Sequence, residues 1–217
     1  MTVSDSTALR YEQQDSDVRL MLQVRDDNAA AFEELVLRYQ QRLVALLGQM
    51  VYGADLAEDL AQEVFLRIYR ARKTYQPAAK FSTWCFRIAQ NVASNALRSK
   101  SRRREYHVAK DAASNSRIGK MEELAVAQSG AQPTRQLDSL EKAEMVRSAI
   151  AALGERQRMA LLLSKFEGQS YAEIAETMGL SLQATKSLLS RARVNLKSLL
   201  EPYMDQGDLP ADDVANL

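Results

Sequence analysis

Apolar residues recur along most of this chain at steps of three and four, the spacing that lines one face of an α-helix. Two helices are predicted from residue 17 onward. In the second, Phe32, Leu35, Val36, Tyr39, Leu43, Leu46 and Leu47 form the stripe. Asp26, Asp27 and Asn28 are candidate caps at its start, and Gly48 and Gly53 bracket its end. A third helix begins near Asp55, with Leu56, Leu60, Val64 and Ile68 on its apolar side. Pro77 then interrupts the pattern in a short loop over residues 75–80. Ser82 is a plausible N-cap for the helix that follows.

Periodicity fades over residues 106–136, where Ser, Asn, Gly, Ala and Gln dominate, as in an interdomain linker. It resumes in a second domain over residues 137–200. Leu140, Met145, Val146, Ile150 and Leu153 line one helix, and residues 155–165 supply another that Gly168 closes. A short helix follows over residues 171–178, then Gly179 as a left-handed turn residue, then Ser181 as the cap of a longer helix. The small Ala175 four residues before Gly179 permits close helix approach, which a helix-turn-helix requires. In the longer helix Leu182, Thr185, Leu189, Ala192 and Leu196 are expected inward. The expected class is all-α: two small helical domains joined by a flexible linker, with residues 1–16 a disordered leader and residues 17–105 the first domain.

Composition fits that class. The chain has 217 residues, of which 46% are hydrophobic and 26% charged, with only eight Gly and four Pro. The single cysteine, Cys85, excludes an intramolecular disulfide and is consistent with a reducing cytoplasm. No apolar run is long enough to span a bilayer, so no direct membrane insertion is expected. Net charge is only +1, yet local charge is uneven. Residues 98–104 and 186–197 are basic blocks, whereas residues 201–217 form an acidic tail without a base. Counterion release depends on the surface that meets phosphates, so a near-neutral total leaves nucleic-acid binding open.

Candidate chemistry lies on three helix faces. In FSTWCFRIAQNVASNALRSKSRRR, residues 81–104, Phe81, Cys85, Ile88, Ala89, Val92 and Ala96 share one face, and Thr83, Arg87, Gln90, Asn91, Ser94 and Arg98 share the other. The second face has bases, amides and hydroxyls but no acid, a donor set suited to phosphates and base edges. Trp84 sits at the border, where its ring can stack on an exposed base. A core helix with a polar outer face fits the pattern as well. On the 182–197 helix, Gln183, Ala184, Ser187, Ser190, Arg191 and Val194 face outward without an acid, flanked by Lys186 and Lys197, as a recognition helix requires. On the 55–72 helix, Asp59, Gln62, Glu63 and Leu66 form a second surface, either a solvated acidic face or a docking site for basic helices. No Walker-type loop, metal-ligand spacing or nucleophile–base pair argues for an enzyme. His107 stands alone without metal-ligand spacing.

Four segments together carry a resemblance: AFEELVLRY, DLAEDLAQEVFLRIYRA, FSTWCFRIAQNVASNALRSKSRRR and LGERQRMALLLSKFEGQSYAEIAETMGLSLQATKSLLSRAR. In this order the chain resembles a bacterial RNA polymerase sigma factor of the extracytoplasmic-function (ECF) type, of the sigma-70 family. The resemblance implies a cytoplasmic, non-enzymatic protein without cofactor or metal. Its implied partners are core RNA polymerase, through the β′ clamp helices and β flap, promoter DNA, and an anti-sigma factor. It assigns Asp59, Gln62, Glu63 and Phe65 to polymerase binding. Lys80, Thr83, Trp84, Arg87, Gln90, Asn91, Ser94, Asn95 and Arg98 are assigned to minus-10 DNA, with residues 76–80 as a loop that holds a flipped base. Gln183, Ala184, Lys186, Ser187, Ser190 and Arg191 are assigned to minus-35 DNA. Thr185 and Leu188 stand where the family pattern has a β-branched apolar residue and often an arginine, which implies an altered minus-35 preference. Gly154 replaces a usual proline, and Cys85 replaces a typical leucine as a core residue. The competing reading is a helix-turn-helix regulator that binds operator DNA independently of polymerase.

Overall fold

The computed structural model describes the backbone of residues 5–51, 54–113 and 134–205, and side chains within 6–51, 55–102 and 141–203. Every regular element among them is helical. The first domain comprises α1 (Asp5–Gln14), α2 (Ser16–Arg25), α3 (Ala29–Val51), α4 (Ala54–Ala71) and α5 (Phe81–Ala113), with a 3-10 turn at Arg72–Thr74. The second comprises α6 (Thr134–Ala152), α7 (Glu155–Lys165), α8 (Tyr171–Met178) and α9 (Leu182–Asp205). Residues 114–133 of the expected linker and 206–217 of the expected tail lie outside the described residues. The side chain of His107 also lies outside them.

Local chemistry sets the helix ends. Asp15 Oδ1 accepts from the Asp17 and Val18 amides, which caps α2. Asp15 Oδ2 accepts from the Phe81 amide at 3.0 Å, so the same carboxylate also caps α5. That displaces Ser82 from its expected capping role: α5 begins at Phe81, two residues before the start that a Ser82 cap would set, and draws its cap from across the domain. Asn28 Oδ1 accepts from the Ala31 amide and starts α3, while Asp27 takes the left-handed conformation at φ 66°. Asp27 is held by Arg72 and Lys73 at 3.1 and 2.5 Å, and hydrogen bonding from Lys73 keeps its carboxyl below the usual range.

The expected disordered leader contains α1. Its last carbonyls, of Glu12 and Gln13, accept from the Arg19 guanidinium, and Tyr11 packs against the core. Residues 1–4 lie outside the described residues. Helices α3, α4 and α5 enclose Leu35, Leu43, Leu47, Val64, Ile68, Phe81, Phe86 and Cys85. Burial pushes the Cys85 thiol up, which keeps it protonated and agrees with its reading as a core residue.

In the second domain α8 opens on a capping box between Ser170 and Glu173 and ends at Gly179, left-handed at φ 63°. Ser181 Oγ accepts from the Ala184 amide and caps α9. The expected helix-turn-helix is therefore present over α8 and α9. Leu182 departs from expectation: it is 47% exposed, because it sits in the first turn, outside the inward arc of Thr185, Leu189, Ala192 and Leu196.

The two domains share one contiguous core rather than standing apart. Arg158, buried in α7, donates to Met50 O at the end of α3 and to Ile150 O and Leu153 O at the end of α6, at 3.0, 3.2 and 3.0 Å. One guanidinium thus satisfies carbonyls that two helix termini would otherwise leave without partners.

Candidate nucleic-acid and partner interfaces

A groove of about 530 Å³ runs between α3 and α4, walled by Val36, Gln40 and Val44 on one side and Glu58, Ala61, Gln62 and Phe65 on the other. Its lining is apolar with an amide and acid rim, the make-up of a site for a helix. The structure divides the four residues expected to bind polymerase. Gln62 and Phe65 line the groove, but Phe65 is buried edge-on against Phe32, at 6.4 Å between ring centroids. It therefore forms a wall and does not protrude. Asp59 and Glu63 lie on the adjoining flank with Leu66, which is 49% exposed. Glu63 is paired with Arg67 at 2.7 Å. Glu58 and the α3 wall were not anticipated, because a groove needs two helices and a single periodic pattern describes only one.

On and just before α5 the expected strand-reading residues separate into four groups. Asn91, Asn95 and Arg98 are exposed. Trp84 is half-buried, stacked obliquely on Tyr75 and Phe81 with centroids 4.9 and 6.0 Å apart, and Gln90 is also half-buried. Lys80, Arg87 and Ser94, spaced by seven residues and so nearly aligned along the helix, meet the second domain. Lys80 pairs with Glu173 at 2.6 Å, Arg87 donates to the Glu176 carbonyl, and Ser94 donates to Glu155. Thr83 departs from the expectation for its face: with the domains packed it is 1% exposed, and its hydroxyl has no hydrogen-bond partner. In the loop before α5, Tyr75 and Pro77 are buried and Gln76 and Ala78 exposed. Ala78 N donates to Gln76 O at 2.8 Å, a tight bend that leaves Lys80 at the threshold of α5.

A further ion pair joins Arg42 to Glu167 at 2.5 Å, with Arg42 lying over the rings of Tyr39 and Phe86. Burial pushes the Glu167 carboxyl above its usual range, and Arg42 opposes that shift. Burial also acts upward on Glu173, but Lys80 and Ser170 outweigh it and hold that carboxyl below the usual range.

The α9 face differs from that of α5. Gln183, Ala184, Lys186, Ser187, Ser190 and Arg191 are all exposed, as expected. Lys186, Ser187, Ser190 and Arg191 line a shallow recess, and Arg191 Nε donates back to Ser187 O at 3.3 Å. Among the described residues no group of three acidic, His or Cys side chains is placed to hold a metal ion. Among them, too, no helix is long and apolar enough to cross a membrane.

Comparison with known proteins assigns these surfaces to a lineage. Residues 35–103 match the model of Sigma-70 region 2, and residues 143–196 that of Sigma-70 region 4. The RNA polymerase sigma-H factor of Pseudomonas aeruginosa is 33% identical over 193 residues, covering 88% of this chain and 97% of that protein. The ECF RNA polymerase sigma-E factor of Haemophilus influenzae is 31% identical over 191 residues, covering 87% and 97%. Among solved structures, CnrH in complex with the cytosolic domain of CnrY shares the fold, with a TM-score of 0.63, 24% identity, and 87% and 99% of the two chains covered. The first domain is thus region 2, the second is region 4, and the chain belongs to the ECF group of the sigma-70 family of RNA polymerase sigma factors.

Proposed function

We propose that this chain binds core RNA polymerase and directs it to promoters, supporting recognition, melting and initiation without being an enzyme itself. It acts where polymerase acts, in the cytoplasm. The observation that carries the reading is the arrangement of faces: an apolar groove with an acidic flank on α3 and α4, and two acid-free polar faces on different domains. The groove and the flank of Asp59, Gln62, Glu63 and Leu66 dock the β′ clamp helices, with Phe65 as a supporting wall. The β flap is a second polymerase contact, made by region 4.

Asn91, Asn95 and Arg98, with Trp84 and Gln90 beside them, read the minus-10 strand. Extruding a base costs a few kcal/mol of stacking, so a pocket of amides beside aromatics must return it. Lys80, Arg87 and Ser94 join that surface once region 4 moves aside. Gln183, Ala184, Lys186, Ser187, Ser190 and Arg191 read minus-35 duplex. There a short-chained helix N-terminus enters the major groove and Arg191 supplies a guanidinium for phosphate or guanine. An anti-sigma protein is the third proposed partner.

The test is run-off transcription with purified core polymerase and a random promoter library. Start sites that appear only when the chain is added support the reading. No new start sites, together with tight duplex binding that core polymerase does not change, would instead mark an independent operator-binding regulator.

A further inference from the structure

We propose that α2 is a brace for the loop before α5, and that Asp15 and Asp27, at the two ends of α2, are positioning residues for strand reading. This rests on the reading of residues 76–80 as the loop that holds a flipped base. The loop leaves the 3-10 turn at Tyr75 and enters α5 at Phe81. Each of these ends is tied to one end of α2. At the start of α2, Asp15 Oδ1 accepts from the Asp17 and Val18 amides and Oδ2 from the Phe81 amide at 3.0 Å. One carboxylate thus fixes the first turn of α2 to the exit of the loop. At the other end, the Arg25 carbonyl accepts from Lys73 Nζ at 2.8 Å. Asp27, just beyond it, pairs with Lys73 and Arg72 at 2.5 and 3.1 Å, in the turn that opens the loop. Between these ties α2 is ten residues long, about 15 Å at the helical rise. Its buried Val18, Met21 and Val24 hold it on the core. The span between the two ends of the loop is therefore set by a packed helix.

That span matters for reading because the two ends of the loop carry the rings around Trp84. Tyr75 and Phe81 lie 4.9 and 6.0 Å from it, centroid to centroid. Loosening either tie shifts a ring, and with it the surface on which a base would stack. A pocket already held in shape binds more tightly, because the cost of ordering it is met on folding. Both aspartates are occupied by donors of this chain, three amides at Asp15 and two cations at Asp27. They act through the loop and not by touching DNA.

The test uses the full chain, free and in holoenzyme. Asp15→Ser keeps a capping oxygen for α2, but a single short hydroxyl cannot also hold Phe81. Asp27→Asn keeps the left-handed turn, which Asn tolerates, and removes the charge that pairs with Arg72 and Lys73. The probes are single-stranded oligodeoxynucleotides of the minus-10 strand from one promoter that wild-type holoenzyme selects, each with one nucleotide replaced by an abasic site. In wild type the largest loss of affinity marks the captured base. Asp15→Ser should shrink that loss about fivefold and Asp27→Asn about twofold, the smaller effect because a solvated ion pair holds weakly. Losses at the other positions and binding to core polymerase should not change. In the free chain the emission of Trp84, its only tryptophan, should depolarise faster in both variants. An unchanged loss at the captured base in either variant, or unchanged Trp84 anisotropy, would overturn the brace. So would an equal fall at every position, which is what plain destabilisation gives. Should Asp15→Ser not fold, Asp27→Asn at the opposite end carries the same test. If wild-type holoenzyme shows no position of outstanding loss, the base-holding loop itself fails. If it shows one and the variants keep it, only the brace fails.

Discussion

The two acid-free faces, on α5 and α9, look alike as sequence and are treated differently by the fold. The α9 face is a row of exposed short polar side chains and bases. The α5 face is split lengthwise, with one line of donors against the second domain and the next line open. On the function proposed above, the two faces meet different forms of DNA. Duplex DNA needs only a protruding helix, and α9 protrudes because α6, α7 and α8 support its other side through Leu189, Ala192, Leu196 and Leu200. A separated strand needs a recessed surface with stacking partners. A face rich in donors is also a good seat for the carboxylates of a neighbouring domain.

The contrast can be broken most severely at Arg158. Replacing it with Ala should leave helix-end carbonyls of α3 and α6 unpaired in the interdomain seam. That should cost on the order of 3 kcal/mol and appear as a clear drop in thermal midpoint. An unchanged midpoint would show that the seam is held by apolar packing alone. Next in size, Asp59→Lys with Glu63→Lys should weaken core polymerase binding by about tenfold while leaving the fold intact, because both side chains reach solvent on one flank of α4. Normal polymerase binding by this double variant would remove the acidic flank from the docking surface.

Smaller effects separate the two faces. Asn91→Ala should lower transcription from melting-dependent promoters by up to about tenfold, the loss of one amide contact to a base, without loosening polymerase binding. Lys186→Ala should weaken promoter binding evenly across sequences and lower the salt slope of holoenzyme–promoter binding by about 1. A change in sequence preference would instead make Lys186 a base reader.

Much of this was legible in the residue order, and the failures have physical causes. Gly179, Ser181 and Ala175 announced the helix-turn-helix, because cap and turn chemistry is local. The apolar stripes of α3 and α4 were equally readable, since each buries against its neighbour. Ser82 failed as a cap because Asp15 reaches α5 from 66 residues away. The leader became α1 because Arg19 and the core hold its C-terminal end, and both lie beyond the local pattern. Thr83 was misplaced because a helical wheel shows which residues share a face but not whether that face is sealed. Glu155 and Glu173 gave no signal as partners of the α5 line, nor Glu167 as the partner of Arg42 on α3, since nothing in the spacing of one domain reports the surface of another.

The most direct measurement is a permanganate and nuclease footprint of core polymerase reconstituted with wild-type, Asn91→Ala and Arg191→Ala chains on one promoter. The account predicts that Asn91→Ala keeps upstream protection but loses strand opening downstream. Arg191→Ala should weaken upstream protection while the strand opening that remains starts at the same position. Equal losses at both elements from either change, or no loss from both, would contradict the assignment of two faces to two parts of the promoter.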